Sequence, residues 1–346
     1  MGIAIGKLIE DCKQEFNVEK SSKKRFGFDA FNVLYQFLTT IRGVDGEPLK
    51  NNRGEVTSHL NGLFYRLINL LSYNIEIVFV FDGKSHSLKQ KTKDKRAEKK
   101  EIAKDNYNRA VEEGNLEDVR KYSKQFTRLD DKILSESKEL LLAMGVSYIE
   151  APSEAEAQIS YLTSIGQLDY TVSQDYDCLL FGSNNLVRNL TVSGKKKIPS
   201  KNIYLNITPE IIYLEKVIKN LGISREKLIW LALLIGTDFN DKVLGVGPVT
   251  ALKLVKENNS FEELISKLKE KGKDVNFDYR KIQDIFLKPN ISKEPKIIKG
   301  KFDSNKIKEI LVNRADFSEE RIELSLNKYL KLKEERDKQK TISDWF

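Results

Sequence analysis

Among the 51 acidic residues of the chain, seven stand at places where chemistry could be done: Asp29, Asp82, Glu154, Glu156, Asp175, Asp177 and Asp238. Each also has an ordinary structural use. Asp29 fits the cap of a following helix, Asp82-Gly83 is a common turn pair, and Ser153 with Glu156 has the spacing of a capping box. Asp175 and Asp177 fit a solvated loop, and Asp238 fits a helix cap after Gly236-Thr237. Brought to one place, the same acids would repel one another unless cations neutralised them. His59 and His86 are the only histidines, so the donor set is all oxygen and favours Mg²⁺ or Mn²⁺ over zinc. Two such ions ~4 Å apart clamp the attacking and leaving oxygens of a phosphoryl displacement and acidify the attacking water. Phosphodiester hydrolysis is the reaction class this predicts.

The elements that would position these acids are legible in outline. Three short apolar runs end in an acid: Phe26 to Asp29, Ile75 to Asp82, and Asp169 to Asp175. They read as buried parallel strands, with a further strand at Val146 to Ile149. Helical spacing fills Val56 to Leu71 and Asp131 to Met144 between them. Strands alternating with helices predict an α/β fold, a mostly parallel sheet flanked by helices. In such sheets ligands bind beyond the carboxyl ends of the strands, where these acids stand. After Thr208-Pro209, taken as a helix start, the chain reads as helical to its end, with caps at Ser224 and Ser260.

Composition narrows the alternatives. With 346 residues, 40% apolar and 32% charged, the chain has a globular composition and length for one large domain or two ordinary ones. The longest apolar run, Leu228 to Ile235, has eight residues, whereas a membrane span needs ~20. Lys7 and Glu10 interrupt any secretory core region, and Gly6 stands where a myristoylation signal wants Ser or Thr, so the cell interior is the expected location. Cys12 and Cys178 make neither a disulfide framework nor a zinc site and are expected as buried apolar residues. The net charge of +8 is unevenly placed. Lys84 to Lys104 carries nine basic residues against three acidic ones, too polar for a core. Directly after Asp82, Ser87 to Gln125 is expected to protrude as a mobile, partly helical segment. A solvated helix pair is the plainer alternative.

In chain order, Phe28-Asp29-Ala30, Val80-Phe81-Asp82-Gly83-Lys84, Ala151-Pro152-Ser153-Glu154-Ala155-Glu156-Ala157, Gln174-Asp175-Tyr176-Asp177-Cys178 and Gly236-Thr237-Asp238 resemble the motifs of the flap endonuclease family of structure-specific 5′ nucleases. The likeness runs the length of the chain. It implies a PIN-like nuclease domain over residues 1–335, a helical arch at about 84–125, and a helix-two-turn-helix at about 225–258 that grips downstream duplex. It further implies cleavage of 5′ flaps at their junction with duplex DNA in replication and repair, with 5′-3′ exonuclease activity. Two Mg²⁺ ions, which Mn²⁺ can replace, would be held by Asp29, Asp82, Glu154 and Glu156 on one side and Asp175, Asp177 and Asp238 on the other. By the same resemblance Lys89 and Arg96 reach the scissile phosphate from the arch, Tyr35 stacks on a base, and Arg42 and Arg66 contact phosphates. A core tyrosine and surface arginines are the alternatives for these three.

Further features bear on partners. Gly245-Val246-Gly247-Pro248 opens a helix whose amides would hold a backbone phosphate, or forms a tight interhelical turn. Lys195-Lys196-Lys197 is a positive strip that either tracks duplex phosphates or solvates a hairpin. Residues 336–346 read as a flexible tail ending in Gln339, Ile342, Trp345 and Phe346, which matches the pattern by which replication proteins dock on the sliding clamp. Eukaryotic relatives continue into a basic tail, so the resemblance is archaeal in type. The expected protein is a monomer in the cytoplasm at the nucleoid, or in the nucleus if the source is eukaryotic. Two rival readings remain: a related nuclease acting on bubbles, gaps, junctions or RNA, and a non-catalytic, clamp-bound DNA-binding adaptor.

Overall fold

A computed structural model describes residues 2–192, 195–197 and 204–343. The strands in chain order are β1 (Lys13–Glu15), β2 (Arg25–Asp29), β3 (Glu76–Phe81), β4 (Ser147–Glu150), β5 (Tyr170–Val172), β6 (Asn185–Arg188), β7 (Lys195–Lys197), β8 (Tyr204–Asn206), β9 (Glu210–Tyr213) and β10 (Ile297–Ile298). The helices are α1 (Ala30–Thr40), α2 (Ser58–Leu71), α3 (Gln90–Glu112), α4 (Leu116–Ser123), α5 (Asp131–Ala143), α6 (Ala155–Ser164), α7 (Asp177–Leu180), α8 (Leu214–Leu221), α9 (Arg225–Ile235), α10 (Pro248–Glu257), α11 (Phe261–Glu270), α12 (Tyr279–Leu287), α13 (Ser304–Lys308) and α14 (Glu319–Ser343).

The main sheet has the order β1-β9-β6-β5-β2-β3-β4-β10. Its middle five strands, β6 to β4 in that order, are parallel, and antiparallel pairing begins only where β9 joins β6 and β10 joins β4. Side chains alternate across β2 and β3. Phe28 and Phe79 stack at 5.2 Å on the face covered by α1, α2 and α5, while Val80 points to the opposite face and packs with Ile159 of α6. Gly27 lets α6 lie close on that second face, because a Cβ there would stand 2.6 Å from Leu168 and 2.7 Å from Ile159. The apolar run Leu228 to Leu234 is buried on all sides as α9, around which α8, α10, α11 and α12 gather in one core. Cys12 and Cys178 are both buried in it, as expected.

Two expectations are overturned. Pro209 does not open a helix: Glu210–Tyr213 is a strand between β1 and β6, with Ile211 and Ile212 buried on opposite faces, and α8 starts only at Leu214. Nor is the remainder wholly helical, since Ile297–Ile298 adds an edge strand to β4. The caps at Ser224 and Ser260 form, each side chain accepting the N–H three residues on. α14 runs unbroken across position 336, and Arg336 donates to the carbonyls of Leu71 and Ser72 at the end of α2. No helix among the described residues is long and apolar enough to cross a membrane.

Candidate active site

Strand order does the gathering. β5, β2, β3 and β4 are neighbours running in parallel, so their carboxyl ends open at one edge. Asp29 is the last residue of β2, Asp82 follows β3, Glu154 and Glu156 open α6 after β4, and Asp175 and Asp177 follow β5. Asp238 arrives from the loop after α9.

Most of these acids are fixed by local bonds. Asp29 caps α1, accepting the Asn32 N–H at 3.0 Å. The Ser153–Glu156 capping box expected from the sequence does not form. Glu154 occupies the cap position of α6 without bonding the helix, and Asp82 Oδ1 instead accepts the Ala155 N–H at 2.7 Å. The backbone brings Asp82 there: Gly83 N–H donates to the Ser153 carbonyl at 2.7 Å, and a Cβ on Gly83 would lie 2.0 Å from the Ala151 carbonyl oxygen. Asp175 and Asp177 accept the N–H groups of Gly2 and Ile3, each at 2.8 Å. That tie of the N-terminal segment to the acids has no signature in the sequence beyond its small, apolar residues. Asp238 caps no helix; Thr237 and Asn240 close a tight turn around it, and its carboxylate faces the arch.

Electrostatics show that these acids form one group. Burial, reinforced by Asp82 and Asp175, pushes Asp29 up to about 8. Burial with Asp175 and Asp238 pushes Asp177 up to about 7, against the Ile3 hydrogen bond. Asp82 is raised by burial and by Glu154, and Glu156 is raised by burial and by Asp177, Asp175 and Asp29. All seven acids therefore share one field.

The basic segment supplies the opposing charge. It is helical throughout most of its length, as α3 and α4, and Ala103, Ala110 and Val119 are buried in it. Tyr107 and Phe126 meet edge to face at 5.1 Å. At its base Lys89 is paired with Glu154 and lies 3.8 Å from Asp238, while Arg96 donates to Asp238 at 2.5 Å. Burial alone would lower the Lys89 pKa, but Glu154, Glu156 and Asp238 outweigh it and hold the ammonium charged. Lys91 and Lys95 of α3 both reach Asp241, at 2.9 and 2.5 Å.

Among the described residues, no three Asp, Glu, His or Cys side chains stand gathered tightly enough to enclose an ion. Two of the acids, Glu154 and Asp238, are engaged instead by Lys89 and Arg96. The donors nonetheless suit a hard divalent cation: they are all carboxylate oxygens, they are mostly buried, and burial plus mutual repulsion penalises their charge.

The other candidates are distributed around this edge. Tyr35, 37% exposed on α1, has the Lys100 ammonium 5.7 Å from its ring centre and so faces the arch. Arg42 is committed to the protein, donating to the Gly46 carbonyl, Ser123 and Thr127, and anchors the far foot of the arch. Arg66 lines a separate cavity of ≈610 Å³ with Tyr65 and Arg321, and none of the seven acids borders it. Gly245 takes φ +70°, Gly247 caps α10 with Pro248 at its first turn, and no atom lies within 4 Å of a Cβ placed on Gly247. Lys195–Lys197 form β7, paired with β8 in the expected hairpin. The backbone of Gln339 and Ile342 belongs to α14, whereas Trp345 and Phe346 lie outside the described residues.

A parallel α/β sheet presenting acids at its carboxyl edge beneath a basic helical arch defines a nuclease of the XPG class. Matching family models cover the XPG N-terminal domain, over residues 1–103, and the XPG I-region, over residues 145–238. The flap endonuclease 1 of Sulfolobus acidocaldarius is 42% identical over 99% of each chain. The solved flap endonuclease-1 of Methanococcus jannaschii superposes with TM-score 0.73 at 36% identity, over 96% of this chain and 98% of that one. The catalytic core of Rad2 in complex with DNA substrate gives 0.70 at 25% identity, over 95% and 100%. The chain belongs to the flap endonuclease 1 family.

Proposed function

We propose that the protein cuts single-stranded 5′ flaps where they join duplex DNA, by hydrolysis assisted by two Mg²⁺ ions. One observation carries this reading: four adjacent strand ends deliver six carboxylates to the place where the arch presents Lys89 and Arg96. Asp29, Asp82, Glu154 and Glu156 would hold one ion, and Asp175, Asp177 and Asp238 the other. Bound there, divalent ions acidify the attacking water and neutralise charge on the phosphoryl oxygens.

The protein's own groups do the rest. Lys89 and Arg96, freed from Glu154 and Asp238, turn to the scissile phosphate and offset the charge that develops on it. The arch, fixed at one foot by Arg42 and resting at the other on Asp238 and Asp241, would admit the single-stranded flap past the acids more readily than duplex. The amide end of α10 beside Gly245 and Gly247, together with the hairpin lysines, holds duplex phosphates. Gln339, Ile342, Trp345 and Phe346 bind the sliding clamp.

The test is cleavage of a 5′ flap, the same duplex without a flap, and a four-way junction, each end-labelled, in Mg²⁺ and in EDTA. Metal-dependent cutting of the flap alone, at its junction, is expected. Cutting confined to the junction would reassign the substrate, and no cutting of any DNA would overturn the reading.

A further inference from the structure

We infer that Asn32 is a positioning residue that ties the acid groups of two neighbouring strands into one metal site. The inference rests on the metal reading proposed above. Asn32 stands one turn into α1 and makes three bonds of different kinds. Its backbone N–H donates to Asp29 Oδ1 at 3.0 Å, its side-chain Nδ2 donates to Asp175 Oδ2 at 3.3 Å, and its Oδ1 accepts the Gln174 N–H at 3.2 Å. The amide orientation is not arbitrary. A backbone N–H must meet the carbonyl oxygen, which leaves the NH₂ to face the carboxylate.

The loop after β5 is thereby held to the end of β2 at two points on one side chain. Ser173, buried beneath it, adds a second bridge, donating to Asp29 Oδ2 at 3.4 Å and accepting the Asp175 N–H at 3.2 Å. Arg188 grips the loop from its far side, donating to the Gln174 carbonyl at 3.1 Å and to the Tyr176 hydroxyl at 2.5 Å. Asp29 and Asp175 repel each other, so without these bonds the loop would swing outward and widen the site. A neutral residue bonds both carboxylates, Asp29 through its backbone N–H and Asp175 through its side-chain NH₂, where a lysine side chain would compete with the cation as a charge. Groups that orient ligands in this way typically set metal affinity by ~10–100-fold.

The experiment compares wild-type protein, Asn32→Leu and Asp177→Ala by the rise in melting temperature as Mg²⁺ or Mn²⁺ is added without DNA, and by single-turnover cleavage over the same metal range. Asn32→Leu is expected to keep its melting temperature in EDTA and its flap-DNA affinity in Ca²⁺. Its half-saturating metal concentration should rise ~10–100-fold in both titrations, so that saturating metal restores much of the rate. Wild-type metal dependence in Asn32→Leu, with Asp177→Ala impaired, overturns the role of Asn32 alone. Wild-type metal dependence in Asp177→Ala overturns the metal reading beneath it. If leucine lowers the melting temperature in EDTA, Asn32→Ser, which is smaller and still polar, replaces it in the same comparison. A normal metal titration for Asn32→Ser would then overturn the inference.

Discussion

Stripped of metal, the protein should lose stability as pH rises through the range in which most proteins are steady. The cause is the buried acid group. Asp177 titrates near 7 in the folded chain against an ordinary 3.8, so between these values the folded state holds a proton that the unfolded chain has released. A group raised in this way stabilises fully below about 3.8, and its contribution is lost as pH climbs through about 7. Three pH units at 1.36 kcal/mol each make about 4 kcal/mol. Asp29, raised to about 8, extends the window upward, but it shares the same field and does not double the sum. With an unfolding entropy of ~2.1 cal/mol/K per residue, 346 residues convert this to about 6 °C. The assay is thermal melting in EDTA from pH 5 to 9, for wild type and Asp177→Asn. Asparagine still accepts the Ile3 N–H, so the variant should melt about 6 °C above wild type at pH 9 but only about 2 °C above it at pH 5, where little more than a third of the loss has occurred. Added Mg²⁺ should raise wild type far more than the variant. Parallel melting curves for the two proteins would refute the linkage.

Three further outcomes are expected. Lys89→Ala and Arg96→Ala should each slow single-turnover cleavage ~10²–10³-fold while changing flap-DNA affinity in Ca²⁺ little; a binding defect as large as the rate defect would assign them to substrate capture. Gly83→Ala should unseat Asp82 from α6, because its Cβ would meet the Ala151 carbonyl at 2.0 Å, and should lower both the cleavage rate and the melting temperature; near-wild-type values in both assays would show that the loop yields. Removing residues 339–346 should abolish stimulation by the sliding clamp and leave basal cleavage unchanged, which a cleavage time course with and without clamp will read directly.

The sheet centre and the acids that close its strands, Asp29, Asp82 and Asp175, were legible because they follow from local pattern: a short apolar run, then an acid. What the sequence hid depends on contacts between distant segments. Lys13–Glu15 and Ile297–Ile298 are strands only because β9 and β4 offer them free backbone, and neither has enough side-chain pattern to announce itself. Pro209 looked like a helix start because the four residues after it are too few to show alternation, and their partners lie on β1 and β6. Ser153 lost the cap of α6 to Asp82, seventy-one residues earlier, because the pairing of β3 with β4 sets that carboxylate beside the helix start. Asn32 lies inside an unremarkable helix start, and Arg42 carried no mark distinguishing an arch anchor from a free phosphate ligand. Asp238, marked by motif, does not take the helix cap of its plainer reading; its carboxylate meets Arg96 of the arch.

Four of the site's acids do double duty as fasteners of the chain. Asp29, Asp82, Asp175 and Asp177 hold the backbone amides of Asn32, Ala155, Gly2 and Ile3, whereas the bonds described for Asp238 go to the arch side chains Arg96 and Lys89. A descendant that abandoned catalysis would still be selected to keep the first four, because losing them would loosen a helix start or the seating of its first residues. The last would be free to drift. In a newly met relative, therefore, Asp238 and Arg96 together testify to a working enzyme, and the acids that are easiest to recognise testify first to an intact fold.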